Sequence, residues 1–218
     1  MELKGLKINF LGDSITEGHG CADLANTFAA RIAAQDGAVC RNYGIGGTRI
    51  ARQRKPSANP RHDLDFVGRY ADMDPDADVV MVFGGTNDFG HGDAPVGTMA
   101  DRTPDTFYGA LHTLYAGLIA RYPAARIVVM TPLHRATEDN PRGDGSKDAP
   151  GLCLIDYVRI IRQVAEYYSL PVLDLYAASG LQPRVPVIRE RYIPDGLHPN
   201  DEGHRLLADL IRAYLRGL

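Results

Sequence analysis

Apolar and polar residues follow two different periods along this chain, and stretches of one period alternate with stretches of the other. Short apolar runs rich in β-branched residues predict strands over residues 6–11, 39–43, 78–83, 126–131 and 171–175. Between them, apolar residues spaced three and four apart predict helices over 27–35, 62–73, 105–121 and 152–168, and a last helix that Asn200 caps. This alternation predicts an α/β fold, a three-layer sandwich around a five-stranded parallel sheet.

Three long segments without a clear period follow the third, fourth and fifth predicted strands. The first two cover residues 84–103 and 134–150, and the third reaches Pro199. Because parallel strands end at a common edge, all three open where the first strand also ends. Loops of this length inside a compact domain are usually functional or mobile. No linker or repeat interrupts the pattern, so residues 1–218 are expected to form one domain.

Composition narrows the range of partners. The net charge of −3 gives no reason to expect nucleic acid or an anionic membrane. Cys21, Cys40 and Cys153 are an odd number without motif spacing, so a disulfide framework is not predicted. Residues 1–12 lack the apolar core of a secretory signal, and no apolar run is long enough to cross a membrane. A cytoplasmic location is therefore expected, while the sequence leaves open whether the chain forms a homo-oligomer.

The first strand runs into a serine that lies between two glycines, in the segment Gly12-Asp13-Ser14-Ile15-Thr16-Glu17-Gly18. The glycines permit tight backbone geometry, and a hydroxyl at a strand end is well placed to be a nucleophile. An ordinary Asp-Ser turn is the alternative. An α/β-hydrolase would have Gly-x-Ser-x-Gly here, but Thr16 occupies the second glycine position, which disfavours that fold.

Asp195 and His198 stand three residues apart, just before the last predicted helix. An Asp-x-x-His turn can bring the carboxylate to one imidazole nitrogen while the other nitrogen points outward, as a general base requires. A turn without chemistry is the alternative reading, since Asp-Gly is a common turn pair.

Two further segments rich in glycine follow strand ends. Asn87, after the third strand, has an amide that could donate to an oxyanion. The segment 42–48, after the second strand, contains Gly44, Gly46 and Gly47, any of which could present a backbone N–H to the same point. Plain loop turns would explain each segment taken alone.

In order, Gly12-Asp13-Ser14, the glycine of segment 42–48, Gly85-Thr86-Asn87-Asp88 and Asp195-x-x-His198 resemble the four blocks of the SGNH hydrolases, also called GDSL lipases/acylhydrolases. The resemblance extends from residue 8 to residue 200. It implies a flavodoxin-like sheet with strand order 2-1-3-4-5 and ester hydrolysis by two-step acyl transfer. Ile15 departs from the leucine of the family's name but is apolar and of similar volume.

The resemblance also implies roles at the matching positions. Ser14 would be the nucleophile, His198 the general base and Asp195 the residue that orients the histidine. The oxyanion hole would be formed by the Asn87 side chain and the N–H groups of Ser14 and Gly47. Gly47 is chosen because it stands five residues after Asn42, as in the family's Asn-x-x-x-x-Gly pattern, and Gly46 is the alternative.

Other residues of the same motifs are expected to contact the substrate, namely Asp13, Thr48, Arg49 and Asp88. No metal or other cofactor is expected. His19 and His91 lie near the motifs but lack metal-ligand spacing, so both are interpreted as solvated loop residues.

Polar loops favour a small-molecule ester with a short acyl group, such as an acetyl ester of a carbohydrate. The loops contain no apolar segment that could act as a lid. They contain many basic residues, namely Arg49, Arg52, Arg54, Lys55, Arg61, His134, Arg135, Arg142 and Lys147. A lysophospholipase or thioesterase is the alternative within the family. A non-catalytic module that binds a phosphate-bearing ligand at the same sheet edge is a further alternative, but it leaves the Asp-x-x-His motif without a role.

Overall fold

The five apolar runs pair in one all-parallel sheet, in the order β2-β1-β3-β4-β5, and this confirms the predicted strand order. The computed structural model describes all 218 residues. The strands are β1 (Lys7–Gly12), β2 (Val39–Gly44), β3 (Val79–Phe83), β4 (Arg126–Met130) and β5 (Val172–Leu173).

Nine α-helices flank and connect the strands. They are α1 (Ser14–Glu17), α2 (Phe28–Asp36), α3 (Phe66–Arg69), α4 (Thr86–Gly90), α5 (Phe107–Arg121), α6 (Leu154–Tyr167), α7 (Leu175–Ala178), α8 (Pro186–Tyr192) and α9 (Asp201–Gly217). Short 3₁₀ turns cover Leu24–Asn26, Pro60–Asp63 and Tyr70–Asp72. None of the helices is both long and apolar enough to span a lipid bilayer.

Both faces of the sheet are covered, which explains why β3 is apolar at every position. Val80 and Val82 belong to a core that includes apolar residues of α5 and α6. Met81 and Phe83 belong to the opposite core, which includes apolar residues of α2 and α9. The side chains of a strand alternate between faces, so each long helix pair buries its apolar stripe against one set of strand residues.

The strand register places the ends of three strands side by side. Gly12, the last residue of β1, is level with Gly44 of β2 and with Phe83 of β3. The guanidinium of Arg69 donates to the carbonyl oxygens of Gly12 (2.7 Å) and Tyr43 (2.6 Å), beyond which the ladder ends. Segments that follow these strands therefore begin within reach of one another.

Several sequence-based boundaries were wrong, for identifiable reasons. The helix predicted over 62–73 is broken into α3 and two 3₁₀ turns, and β5 ends early because Asp174 caps α7 instead. Three helices inside predicted loops, α4, α7 and α8, were missed. All five residues of α4 are buried and none of α8 is, so neither shows the one-sided apolar stripe that marks a helix in a sequence.

We expect Leu207→Ala to lower the free energy of unfolding by about 2–5 kcal/mol, because the Leu207 side chain is fully buried between α9 and the sheet. Leu210→Ala is the matched control, since Leu210 lies on the same helix but is only partly buried. Urea denaturation of the three proteins measures the difference. Equal losses in the two variants would show that α9 does not pack as described.

Candidate active site

Ser14 is the first residue of α1 and directly follows the end of β1 through Gly12 and Asp13. The Asp13 carboxylate caps this short helix and accepts a hydrogen bond from the Ile15 N–H at 3.0 Å. The helix folds back closely on the strand end, so a Cβ at Gly12 would lie 1.9 Å from Thr16 Oγ1. Only glycine fits at this position, and the result is a serine hydroxyl held at the edge of the sheet.

His198 approaches Ser14 from the loop before α9. Its Nε2 lies 3.0 Å from Ser14 Oγ, and its Nδ1 lies 2.7 Å from Asp195 Oδ2. Because Asp195 can only accept, the Nδ1–H donates to it and leaves Nε2 free to accept the Ser14 hydroxyl proton. This is the geometry of a serine, a general base and an orienting carboxylate.

Asp195 is itself fixed by the turn that the sequence predicted. Its Oδ1 accepts hydrogen bonds from the N–H groups of Leu197 (2.8 Å) and His198 (2.7 Å). Partial burial alone would raise the pKa of Asp195, but the hydrogen bonds from His198 and Leu197 outweigh burial and hold the pKa below its ordinary value. The carboxylate therefore stays ionised beside the imidazole.

The start of α9 positions this loop. Asn200 caps the helix as predicted, with its Oδ1 accepting from the N–H groups of Glu202 and Gly203 at 3.1 and 3.0 Å. Its Nδ2 donates to the carbonyl of Arg191 in α8 at 2.9 Å. The missed helix α8 thus supports the loop that contains His198.

The residues expected to form the oxyanion hole, Asn87 and Gly47, line the same cavity as Ser14. The Asn87 amide donates to the carbonyl of Thr48 at 2.9 Å, which ties α4 to the loop after β2. In that loop the Gly46 N–H donates to Glu17 Oε2 at 2.7 Å and is thereby occupied. The Gly47 N–H has no hydrogen-bond partner within the protein. Of the two glycines that the sequence left open, Gly47 has the available donor.

His91 braces the Gly47 peptide. Its Nε2 lies 3.2 Å from the Gly47 carbonyl oxygen and its Nδ1 lies 3.2 Å from Asp144 Oδ2. Burial lowers the pKa of His91, although its hydrogen bond to Gly47 opposes that shift. The prediction of a solvated loop residue was wrong for His91. His19 is exposed as expected, but its ring centroid lies 4.8 Å from that of His198.

A cavity of about 360 Å³ opens at Ser14 and His198. Leu197 is the single hydrophobic residue among the 14 that line it, so a bound molecule meets mainly polar groups. The other lining residues are Glu17, His19, Gly46, Gly47, Asn59, Arg61, His62, Asn87, His91, Arg135 and Asp144. Gly46, Gly47 and Asn87 belong to the sequence motifs, whereas Asn59, His62 and Asp144 come from distant loops and no motif signalled them. No cluster of three or more His, Cys, Asp or Glu side chains is arranged to hold a metal ion.

The four residues expected to contact substrate do not line this cavity. Asp13 caps α1, and the Thr48 hydroxyl donates to the Ile45 carbonyl at 2.7 Å. Arg49 is buried and pairs with Asp63 at 3.0 Å. The Asp88 carboxylate accepts from two backbone N–H groups of residues 50 and 51, at 2.9 and 3.0 Å. The hydrogen bonds and the ion pair of these four residues tie together the segments behind the site, although Arg49 Nε has no partner.

The sequence profile of the GDSL-like lipase/acylhydrolase family matches residues 10–206 of this chain. The chain belongs to the GDSL-like lipase/acylhydrolase family. It is accordingly a carboxylic ester hydrolase with the α/β fold of that family. No curated protein matches the sequence at a significant level.

Solved structures share the fold of this chain. A protein from Lactobacillus plantarum is 30% identical, with a TM-score of 0.82 over 98% of each chain. The lipase/acylhydrolase from Enterococcus faecalis is 22% identical, with a TM-score of 0.64 over 97% of this chain and 96% of its own. A member of the lipolytic G-D-S-L family from Veillonella parvula is 18% identical, with a TM-score of 0.63 over 98% and 100%. The last two similarities concern the fold alone.

Gly47→Ala should lower kcat for ester hydrolysis by about 10²–10³-fold, because the change displaces the free Gly47 N–H. Gly47 has φ +75°, and a Cβ there would lie 2.4 Å from the His62 ring. Gly5→Ala is the matched control, since Gly5 also has φ +75° but a Cβ there meets no atom within 4 Å. Steady-state kinetics with p-nitrophenyl acetate compares the two. Comparable activity in both variants would show that the Gly47 N–H does not contribute to ester hydrolysis.

Asp13→Asn should change how stability depends on pH. Burial raises the pKa of Asp13 to about 7, against an ordinary value of 3.8. The folded protein therefore binds an extra proton between about pH 4 and pH 7, and this carboxyl makes the wild type less stable as the pH rises through that window. The asparagine variant lacks this loss, so its stability relative to wild type should increase from pH 4 to pH 8 by on the order of a few kcal/mol.

Urea denaturation across that pH range measures the effect of Asp13→Asn. Asp23→Asn is the control, because Asp23 caps an exposed 3₁₀ turn in the same way, accepting from Ala25 N–H at 2.8 Å. A difference between Asp13→Asn and wild type that stays constant with pH would show that Asp13 titrates normally in the folded protein.

Proposed function

We propose that this hydrolase is a serine esterase that acts through Ser14, His198 and Asp195 on short-acyl esters, in particular acetyl esters of a polar alcohol such as a carbohydrate. The observation that supports the assignment most directly is the chain of contacts from Ser14 Oγ to His198 Nε2 (3.0 Å) and from His198 Nδ1 to Asp195 Oδ2 (2.7 Å), at the wall of a cavity. No cofactor enters the proposed reaction.

The reaction proceeds in two acyl transfers. Ser14 Oγ attacks the ester carbonyl carbon while His198 Nε2 takes the hydroxyl proton. The carbon–oxygen bond to the alcohol then breaks, and the alcohol oxygen takes that proton from His198. Water next attacks the acyl-enzyme and gives a proton to His198, which returns it to Ser14 Oγ as the carboxylic acid leaves. Asp195 holds the ring in the required tautomer and stabilises the imidazolium that forms twice in each cycle.

The tetrahedral oxyanion is held by three donors. Ser14 begins α1, so its backbone N–H has no partner inside the helix. The Gly47 N–H is free, and Asn87 has a second amide proton in addition to the one bonded to Thr48. Because these donors are fixed before substrate arrives, they stabilise charge that develops in the transition state at little reorganisation cost.

The size and polarity of the cavity support a short acyl group. About 360 Å³ must hold both parts of the ester, and Leu197 alone offers a hydrophobic side chain. The large hydrophobic side chains that are most exposed, such as Leu24 and Val187, are not among the lining residues. A long acyl chain would therefore have little apolar surface to cover it. A lysophospholipase would gain little hydrophobic stabilisation for its acyl chain from this cavity.

Ser14→Ala should abolish hydrolysis of p-nitrophenyl esters, and the wild type should cleave acetate faster than butyrate and octanoate. Removing the nucleophile of such a site leaves only the residual catalysis that the oxyanion donors supply, roughly 10³–10⁴-fold above water. Ser179→Ala is the control, since Ser179 is also buried and its Oγ accepts from the Leu181 N–H outside the cavity. We expect this control to remain active.

The rates are measured by p-nitrophenol release and followed by a screen of acetylated sugars. Activity that survives in Ser14→Ala would contradict the mechanism. Faster cleavage of octanoate than of acetate would instead favour the lysophospholipase or thioesterase alternative and leave the mechanism in place.

A further inference from the structure

The carboxylates around the catalytic cavity all have partners. Glu17 forms an ion pair with Arg61 and accepts from the Gly46 N–H. Asp144 contacts His91, and Asp195 contacts His198. Each carboxylate that lines or adjoins the cavity is thus paired, as is usual for charged side chains withdrawn from water.

Arg135 is the charged residue at the cavity that lacks such a partner. It is 5% exposed and lines the same cavity as Ser14 and His198. No carboxylate oxygen lies within 4.0 Å of its guanidinium nitrogens, so the side chain forms no ion pair, although the backbone N–H of Arg135 donates to Glu138 Oε2 at 3.4 Å. Burial lowers the pKa of Arg135, even though the more distant Asp144, Asp13 and Asp195 oppose that shift.

The hydrogen bonds of Arg135 leave most of the guanidinium unused. Nη1 donates to the carbonyl oxygen and hydroxyl of Thr86, at 3.2 and 3.4 Å. One face of the guanidinium lies over the Phe89 ring, with Cζ 5.3 Å from its centroid. Nε is buried without any partner, and Nη2 donates to no protein atom. Two donor positions of a fixed cation are therefore unmatched.

A buried cation without a counterion is costly, because the protein interior replaces water poorly as a solvent for charge. The contacts with Thr86 and Phe89 hold the group in place but supply no negative charge. A negatively charged group in the cavity would supply it. A carboxylate fits in particular, because its oxygens can accept the charge-assisted hydrogen bonds that the free Nη2 donates.

We propose that Arg135 binds a carboxylate of the substrate, so that the natural substrate is a short ester that bears a negative charge close to the scissile bond. Acetyl esters of hydroxy acids or of acidic sugars belong to this class. This inference rests on the esterase function proposed above and narrows its substrate. Arg135 is then a specificity-determining residue, which orients the ester without taking part in proton transfer.

The test compares matched esters that differ only in charge. Acetoxyacetate, 3-acetoxypropanoate and 4-acetoxybutanoate are each paired with the corresponding primary amide, and monomethyl succinate is paired with its monoamide. The readout is the ratio of kcat/KM for the acid to kcat/KM for the amide, within one protein. At least one pair should favour the acid in the wild type, and the pair that does so shows which part of the ester bears the charge.

Arg135→Met keeps a long apolar stem but removes the charge, and it should reduce that ratio by about a hundredfold, as expected for loss of one partner of a buried ion pair. Arg135→Lys should retain part of the preference, because the charge remains without the fork. Arg61→Met is the matched control. It also removes one positive charge from the cavity, but the charge of Arg61 is already paired with Glu17. An equal fall in the ratio in Arg61→Met would overturn the proposal in favour of a general field effect.

A second readout does not depend on turnover. Succinate, added at constant ionic strength, should raise the Tm of Ser14→Ala but not that of the double variant Ser14→Ala/Arg135→Met, and succinamide should raise neither. If the wild type cleaves p-nitrophenyl acetate but no acid is preferred and succinate has no effect, the Arg135 proposal fails while the esterase function stands. If p-nitrophenyl acetate is not cleaved, the proposed function itself fails.

Discussion

The alignment of three strand ends at one edge of a parallel sheet is the constraint on which the rest of this structure depends. Gly12 is level with Gly44 and with Phe83, so the segments after β1, β2 and β3 start side by side. Ser14, Gly47 and Asn87 follow those strand ends within a few residues. They meet because the sheet order brings β2 and β3 to either side of β1. His198 then completes the group from the opposite end of the chain, 184 residues after Ser14.

Many polar groups lie close together at this edge of the sheet, and most of them form hydrogen bonds within the protein. Arg69 donates to the carbonyl oxygens where β1 and β2 end, and burial lowers its pKa to about 10. Asp88 takes its hydrogen bonds from backbone N–H groups, and burial raises its pKa to about 6. These residues rigidify the frame, while Ser14 and His198 line the cavity. Arg135 differs because its surroundings provide hydrogen-bond acceptors but no negative charge.

Elements with a clear apolar period were predicted well, and those without one were not. The strand β3 and the helix α9 were predicted correctly. The apolar residues of β3 and the Asn200 cap of α9 can be recognised from neighbouring residues in the sequence alone. The break between residues 62 and 73 was not, since Asp65 caps α3 by accepting from Gly68 N–H at 2.6 Å and divides what looked like one helix. The helix α4, which contains Asn87, was missed because it is buried on every side.

The sequence by itself determined the fold class, the strand order through its resemblance to the family, and the candidates Ser14, Asp195 and His198. These follow from local pattern: a serine at a strand end, and an aspartate three residues before a histidine in one turn. The resemblance favoured Gly47 over Gly46, and only the tertiary structure showed that the Gly46 N–H is occupied by Glu17, 29 residues earlier. It also showed that the four residues expected to contact substrate lie outside the cavity that Ser14 lines, and that the Arg135 side chain forms no ion pair. Hydrogen-bond and ion partners are set by spatial neighbours, and those neighbours come from distant parts of the chain.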